Sequence, residues 1–245
     1  MTEKQQREHA ETLEKWATSG KEGTPPVLAA TVILLRDAAD GLETLMLRRN
    51  SKISFGGMWV FPGGRLDPED WEGIAEGDDL AASRVAAARE AMEECSMGVS
   101  AADMVPFSHW TPPPVTPKRF LTWFFAARAG CEEVTIDDGE IKESEWLSPA
   151  EALIRQGKKE IELAPPTFVT LSELSAWGSV EEALARIAER TPERFQTKIG
   201  VVEGMGPVAM WHGDAGYDVG DPSIETSLHR LSMRKGGPWS YDRTA

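Results

Sequence analysis

Residues 59–67 read WVFPGGRLD, and residues 89–94 read REAMEE. On a helix, Glu90, Glu93 and Glu94 stand at positions i, i+3 and i+4 and therefore share one face. Like charges in this arrangement destabilise a helix by roughly 0.2–0.5 kcal/mol per pair unless another group neutralises them. A hard divalent cation such as Mg²⁺ prefers carboxylate oxygens of this kind. The alternative is a solvated acidic face, which is the usual role of a run of charges.

The segment upstream of the glutamates favours a ligand site over a solvated face. Residues 58–61 are typical of a short strand, and the adjacent Gly63 and Gly64 let the backbone turn sharply and approach a ligand closely. Asp79–Cys95 is rich in alanine and predicts a helix. Its expected buried face consists of Val85, Ala88, Met92 and Cys95.

A glycine turn followed by a helix bearing R-E-x-x-E-E resembles the signature of the Nudix hydrolases. That signature runs glycine, five residues, glutamate, seven residues, then R-E-apolar-x-E-E-x-G-apolar. Here five residues follow Gly64 before Asp70, and the same count from Gly63 reaches Glu69. Eighteen residues separate Asp70 from Arg89, so this chain carries an insertion. Ser96 replaces the final glycine, and we expect Gly98 to end the helix instead.

The resemblance implies a catalytic and metal-binding role for the glutamate helix. Mg²⁺ or Mn²⁺ would be held by Glu90, Glu93, Glu94 and Gly64. Glu93 and Glu94 would act in catalysis, and Arg89 would orient a carboxylate through a bidentate pair. The general base is open among a glutamate of the helix, Glu140 and Glu143, and our site prediction includes Glu143.

Two further segments resemble the branch that contains the peroxisomal coenzyme A diphosphatases, some of which carry an insertion in the same place. Residues 45–51 read LMLRRNS, and residues 164–168 read APPTF. This resemblance implies that coenzyme A or an acyl derivative is cleaved to 3′,5′-ADP and (acyl-)phosphopantetheine. The predicted substrate-binding residues are Arg48, Arg49, Gly63 and Arg65, with Arg49 first among them. Lys52, Lys118 and Arg119 are further candidates for binding phosphate.

Three alternatives accompany this prediction. One is a Nudix hydrolase for ADP-ribose, NADH, a dinucleoside polyphosphate or a nucleoside triphosphate. Another is a catalytically inactive Nudix-fold ligand sensor. The third, a di-iron helical bundle, is rejected because it requires Glu-x-x-His on neighbouring helices and the chain contains none.

The composition excludes several other roles. The 40 acidic and 26 basic residues give a net charge of −14, which disfavours nonspecific binding to nucleic acid. The longest apolar runs, Val27–Leu35 and Leu121–Ala127, are far shorter than a membrane span of about 20 residues. Cys95 and Cys131 form no disulfide framework and no zinc motif, so we expect a cytoplasmic enzyme whose partner is a small nucleoside diphosphate derivative. A homodimer is left open.

The expected fold class is α/β, namely the Nudix α/β/α sandwich with a mixed sheet, a helical addition and a C-terminal extension. We expect an N-terminal polar helix and linker (1–24), a Nudix hydrolase domain (25–177) and a C-terminal helix and hairpin extension packed on the same domain (178–245). The expected strands are Val27–Arg36, Glu43–Arg49, Met58–Phe61, Val105–Thr111, Arg119–Ala127, Glu132–Ile136, Glu140–Trp146, Phe195–Val202 and Pro207–His212. The expected helices are 2–18, Asp79–Cys95, one capped by Ser148, Pro165–Trp177 and Ser179–Arg190.

Overall fold

The computed structural model describes residues 23–50, 56–116, 118–137 and 139–244. The predicted helix 2–18 and the candidate Lys52 lie outside these residues. Within them, no helix has both the length and the apolar character needed to cross a membrane.

Among the described residues, four strands precede the first α-helix, three strands follow it, and three further α-helices lead to the last five strands. The strands are β1 (Val27–Ala38), β2 (Gly41–Arg49), β3 (Trp59–Val60), β4 (Gly63–Arg65), β5 (Val105–Thr111), β6 (Phe120–Arg128), β7 (Ile141–Leu147), β8 (Glu193–Gln196), β9 (Lys198–Val202), β10 (Gly206–Met210), β11 (His229–Ser232) and β12 (Ser240–Arg243). The α-helices are α1 (Asp79–Cys95), α2 (Pro149–Gly157), α3 (Pro165–Leu174) and α4 (Val180–Ala188).

The main sheet is mixed, as predicted. Its order is β3-β2-β1-β6-β5-β8, with β4 paired to β1 and β7 paired to β2. The pairs β1–β6 and β5–β8 are parallel, and the others are antiparallel. Residues 32–35 of β1 are fully buried, which is typical of a central strand covered on both faces.

Helices cover both faces of this sheet, which confirms the α/β/α architecture. Ile33 packs in one apolar core, and its neighbour Val32 packs in the other, because successive side chains of a strand point to opposite faces. The core with Val32 includes the alanines of α1, and the core with Ile33 includes side chains of α2, α3 and α4. Ser148 caps α2 as predicted, since its hydroxyl accepts a hydrogen bond from the N–H of Glu151.

A second, antiparallel sheet of order β12-β11-β10-β9 follows the last helix. It shares the core of the main sheet, because Trp211, directly after β10, packs edge-on against Trp110 of β5 and Phe195 of β8, with ring centroids 5.7 and 5.3 Å away. A buried ion pair holds its longest loop, with the carboxylate of Asp214 and the guanidinium of Arg230 joined by two hydrogen bonds of 2.6 Å. Packing therefore anchors this sheet to the rest of the molecule, and the buried charge pair fixes the sheet's own loop.

The buried face of α1 differs from the prediction. Met92 is 52% exposed, whereas Ala87, Ala91 and Glu94 are buried. Alanine side chains let the helix lie close to β1, and this packing rotates the larger Met92 towards solvent. The rotation also places Glu94 on the inward face, which matters for the site.

The residue that stops α1 differs from the prediction, although the helix has the predicted bounds. The helix ends at Cys95, and Ser96 itself takes the left-handed conformation with φ 57°, so Gly98 is not the stop. Residues 132–136, expected to be a strand, are irregular because their backbone binds the helix terminus. The N–H of Thr135 donates to the carbonyl of Cys95, and the N–H of Asp137 donates to that of Glu94.

Candidate active site

The glycine pair lies in a strand, not in the turn that the sequence predicted. Gly63 pairs with Thr31 and Gly64 with Ala30 in the antiparallel β1–β4 ladder. A Cβ at Gly63 would lie 2.3 Å from the carbonyl oxygen of Ala30, and one at Gly64 would lie 2.2 Å from Oε1 of Glu90. Only glycine fits this close approach of strand and helix.

Arg89 is the hub of the ion pairs around α1. Its Nε and Nη2 donate to the two carboxylate oxygens of Asp70 at 3.0 and 2.9 Å, which is the bidentate pair expected of it. Its Nη1 donates to Glu90 and to Glu93, each at 3.0 Å. Hydrogen bonding to Asp70 is the largest effect that raises the pKa of Arg89, so the guanidinium stays charged.

Asp70 is 1% exposed and lies in a short 3₁₀ helix, Pro68–Trp71. Its carboxylate also accepts a hydrogen bond of 2.8 Å from the backbone N–H of Asp67. The aspartate therefore joins the start of the insertion to Arg89. The sequence pattern identified Asp70 only as a departure from the family signature and did not predict this role.

Glu94 is the most buried carboxylate of the helix, at 3% exposure. Its Oε2 accepts a hydrogen bond of 2.9 Å from the N–H of Gly63, and its Oε1 lies 3.3 Å from Nη1 of Arg49. Burial raises the pKa of Glu94 to about 7, because the loss of water outweighs the hydrogen bond from Gly63 and the charge of Arg49.

Burial also raises the pKa of Glu90, although Arg89 opposes the shift. Glu93 is exposed and forms an i,i+4 ion pair with Arg89. The three glutamates thus differ in solvation although they share one side of the helix.

A second pair of charges faces the helix from the edge of the sheet. Arg49, at the end of β2, binds Glu140 at 2.8 Å in addition to Glu94. The carboxylate of Asp137 accepts hydrogen bonds from the backbone N–H groups of Glu140 and Ile141, which fixes the loop before β7. No sequence motif indicated that Asp137 belongs to the site.

The predicted residues Arg48 and Glu143 lie elsewhere. They bind each other across the β2–β7 pair on an exposed surface. Successive residues of a strand point to opposite faces, so Arg48 is turned away from the side that Arg49 occupies. Among the described residues, neither of the two lines the cavity at the site.

One cavity of about 680 Å³ joins the charged residues to an apolar region, a volume that suits a ligand of cofactor size. Its charged lining consists of Asp67, Glu90, Glu93, Glu94, Asp137, Glu140, Arg49, Arg65, Arg89 and Lys118. Its other lining residues include Gly63, Gly64, Trp110, Pro112, Pro113, Phe120, Phe124, Pro165, Pro166, Thr197, Ile199, Ala209 and Met233. Of the residues predicted for the site, the cavity is lined by Arg49, Gly63, Gly64, Arg65, Arg89 and all three glutamates.

The chain is similar to known proteins. The NUDIX domain family matches residues 25–168. The crystal structure of a NUDIX hydrolase from Alicyclobacillus acidocaldarius is 26% identical, with a TM-score of 0.59 over 66% of this chain and 96% of that one. An Ap4A hydrolase of C. elegans is 21% identical, with a TM-score of 0.41 over 61% and 96% of the two chains. The NUDIX domain of Shewanella oneidensis NrtR, complexed with ADP ribose, is 17% identical, with a TM-score of 0.44 over 68% and 96%. Comparison with curated proteins found no match.

The family match spans more than half of the sequence, and the chain therefore belongs to the NUDIX family. It is a diphosphohydrolase of the Nudix type, an enzyme class that acts on nucleoside diphosphate derivatives. Nudix hydrolases generally use divalent metal cations.

The residues of the cavity fit a divalent cation by their chemistry. Among the described residues, no three His, Cys, Asp or Glu side chains stand close enough to hold a metal ion. Arg89 pairs with Glu90 and Glu93, and Arg49 pairs with Glu94. The acidic side chains of the cavity nevertheless outnumber the basic ones, and a diphosphate would add further negative charge. A cation with a preference for oxygen ligands would neutralise this excess.

Proposed function

We propose that this protein hydrolyses the diphosphate of coenzyme A or acyl-coenzyme A to 3′,5′-ADP and (acyl-)phosphopantetheine, with Mg²⁺ or Mn²⁺. The observation that carries the proposal is that two distant segments of the chain line the same cavity. Arg49 comes from the segment 45–51, and Pro165 and Pro166 come from the segment 164–168. These two segments resemble the coenzyme A-directed branch, and both line the cavity that contains the glutamate helix.

The metal ligands that we propose are Glu90, Glu93, Glu94 and the backbone of Gly64. A divalent cation held by them would neutralise diphosphate oxygens and lower the pKa of an attacking water. Arg89 acts as a positioning residue, because it contacts Glu90 and Glu93 and is itself held by Asp70. Catalytic roles of Glu93 and Glu94 are part of the same proposal.

For the general base we favour Glu140 over Glu143. Glu140 lines the cavity and is positioned by the turn around Asp137, so it can reach a water beside the diphosphate. Glu143 binds Arg48 on the exposed surface and stays a prediction from the sequence alone.

The cationic side chains of the cavity supply the contacts to anionic groups of the substrate. Arg49, Arg65 and Lys118 all line it, and coenzyme A carries a separate 3′-phosphate besides its diphosphate. Arginine suits such contacts because its planar guanidinium binds phosphate in a bidentate manner. A contact from Arg48 would require a substrate that extends beyond the described cavity lining.

The test is a substrate panel with purified protein and Mg²⁺ or Mn²⁺. The panel contains coenzyme A, acyl-coenzyme A, ADP-ribose, NADH and a nucleoside triphosphate, and chromatography resolves the products. Release of 3′,5′-ADP together with a phosphopantetheine fragment would support the proposal. If only another compound of the panel is cleaved, that compound takes the place of coenzyme A as the proposed substrate. Metal binding without turnover of any compound would indicate a ligand sensor. A cytoplasmic location and a homodimer remain predictions.

A further inference from the structure

The chain beyond the family match helps to build the cavity. The NUDIX match ends at residue 168, yet Thr197, Ile199, Ala209 and Met233 line the same cavity as the glutamate helix. Ile199 belongs to β9 and Ala209 to β10 of the second sheet. We call this set of four residues the C-terminal wall.

The order of strands separates the C-terminal wall from the catalytic end. Arg49 ends β2, and Trp110, near the end of β5, packs against Trp211, which follows β10 of the second sheet. Strands β1 and β6 lie between β2 and β5. Three interstrand spacings therefore separate the strand end at Arg49 from the strand end near Trp110 by about 14 Å. A ligand whose diphosphate lies at the glutamates must extend across the sheet to reach the wall.

The side chains of the wall offer contact without charge. Ile199, Ala209 and Met233 are aliphatic, and Pro112, Pro113, Pro165 and Pro166 line the same cavity. The one polar member, Thr197, already accepts a hydrogen bond of 3.0 Å on its hydroxyl oxygen from Nε1 of Trp211. An apolar group would therefore be favoured at this end.

We infer that Ile199, Ala209 and Met233 determine specificity by holding the apolar arm of the substrate, the acyl chain of an acyl-coenzyme A. This inference rests on the proposed function and adds to it the part of the molecule that selects the acyl group. It also gives the C-terminal sheet a task in substrate binding.

An acyl chain suits this wall better than a nucleobase does. A base carries hydrogen-bonding groups on its edges, and burying these beside aliphatic side chains without partners is costly. A flexible alkyl chain has no such groups, and Met233 can adapt to it because methionine is unbranched and polarizable.

The test compares the wild type with Ile199→Asp, Ala209→Leu and the control Val202→Asp. Ile199→Asp introduces a charge into the wall, and Ala209→Leu reduces the space beside it. Val202 also belongs to β9 but packs against the cluster of Val208, Met210 and Tyr217, away from the cavity. For each protein, kcat and KM are measured with coenzyme A and with a series of acyl-coenzyme A thioesters of increasing chain length.

In both wall variants, the ratio of kcat/KM for long-chain acyl-coenzyme A to that for coenzyme A should fall by about tenfold or more, mainly through KM. In Val202→Asp this ratio should stay at the wild-type value. If Ala209→Leu does not fold, Ile199→Asp decides the question. An unchanged ratio in a folded Ile199→Asp would overturn the inference and leave the proposed function standing. A wild type that cleaves no coenzyme A compound would overturn both.

Discussion

Arg89 and Asp70 form a bidentate pair across the insertion that separates the two halves of the Nudix signature. The guanidinium donates from Nε and Nη2 to both oxygens of a carboxylate that is almost fully buried. The same guanidinium contacts Glu90 and Glu93, so the orientation of two predicted metal ligands depends on Asp70. An aspartate thus anchors the arginine although eighteen residues separate them in the sequence.

We expect Asp70→Asn to reduce both stability and activity. The amide cannot accept two charge-assisted hydrogen bonds, so the partly buried Arg89 loses its main partner at a cost of about 2 kcal/mol. Urea unfolding and kcat/KM measure the two effects. The neighbouring Glu69→Gln is the control, because Glu69 is exposed and should change the free energy of unfolding by less than about 0.5 kcal/mol. Equal stability of the two variants would contradict the anchoring role.

Replacement of Glu94 by glutamine should lower metal-dependent turnover by about a hundredfold or more. The fold should stay intact. Glutamine matches the shape of glutamate, and its carbonyl oxygen can still accept from the N–H of Gly63, but it is a poor ligand for a hard cation. Activity with Mg²⁺ and Mn²⁺ and circular dichroism are the measurements. Full activity of a folded variant would refute the proposed site.

Replacement of Gly63 and of Gly64 by alanine should have different effects, one mainly on stability and the other mainly on activity. At Gly64 the new Cβ meets the flexible end of Glu90, so Gly64→Ala should displace this carboxylate and lower kcat at least tenfold with little loss of stability. At Gly63 it meets backbone atoms of β1, so Gly63→Ala should destabilise the β1–β4 pair by about 2 kcal/mol. Thermal unfolding measures the stability of both variants, and steady-state kinetics measures their kcat. Equal stability and equal kcat of the two variants would contradict the prediction.

The two acids near β7 should differ in their effect on the reaction. Glu140→Gln should lower kcat by about 10²-fold, the usual range for a general base, because Glu140 lines the cavity. Glu143→Gln removes an exposed pair with Arg48 and should change kcat by less than about twofold. Steady-state kinetics across pH 6–9 compares them. A larger loss in Glu143→Gln would restore Glu143 as the base.

The buried pair of Asp214 and Arg230 should make the C-terminal sheet sensitive to acid. Burial alone would raise the pKa of Asp214, but hydrogen bonds from Arg230 and from the backbone N–H groups of His229 and Gly216 outweigh it and lower the pKa. The contribution of ionised Asp214 to the free energy of unfolding is therefore present above the ordinary pKa of 3.8. It is lost as the pH falls through the lower pKa that Asp214 has in the folded state.

Asp214→Asn should accordingly lower the free energy of unfolding by about 3 kcal/mol near neutral pH, because it leaves Arg230 buried without a charged partner. The difference between wild type and variant should shrink below about pH 4 as the wild-type carboxylate becomes protonated. Urea unfolding at several pH values measures it. A difference independent of pH would show that the charge of Asp214 contributes nothing.

Most of the main sheet could be predicted because its strands carry a local signal. Helix α1 begins and ends where the sequence predicts, and β5 does as well. β4 was missed because adjacent glycines are typical of turns, and here they are needed for the close approach to Ala30 and Glu90. β11 and β12 were missed because each has only four residues and is defined by its partners in the second sheet.

The site could be predicted only as far as its motif extends. Glu90, Glu93 and Glu94 could be assigned to one face because their spacing is local to one helix. The cavity partners of these glutamates come from distant parts of the chain, such as Asp137 and Ile199, and no spacing connects them. The choice between Glu140 and Glu143 depended on which way each side chain points at the edge of the sheet, which the sequence does not record.

The parallel pair of β1 and β6 has a consequence for the order in which the molecule assembles. It joins Val27 to Phe120 and Leu35 to Arg128, segments more than 90 residues apart. Pairings between such distant segments slow folding, since the closure of a long loop precedes any gain from the contact. During synthesis the central strand β1 must therefore wait for β6, and β5 must wait for β8. A nascent chain that already carries the whole glutamate helix has the three glutamates but lacks the cavity, which closes only when the last fifth of the chain has left the ribosome.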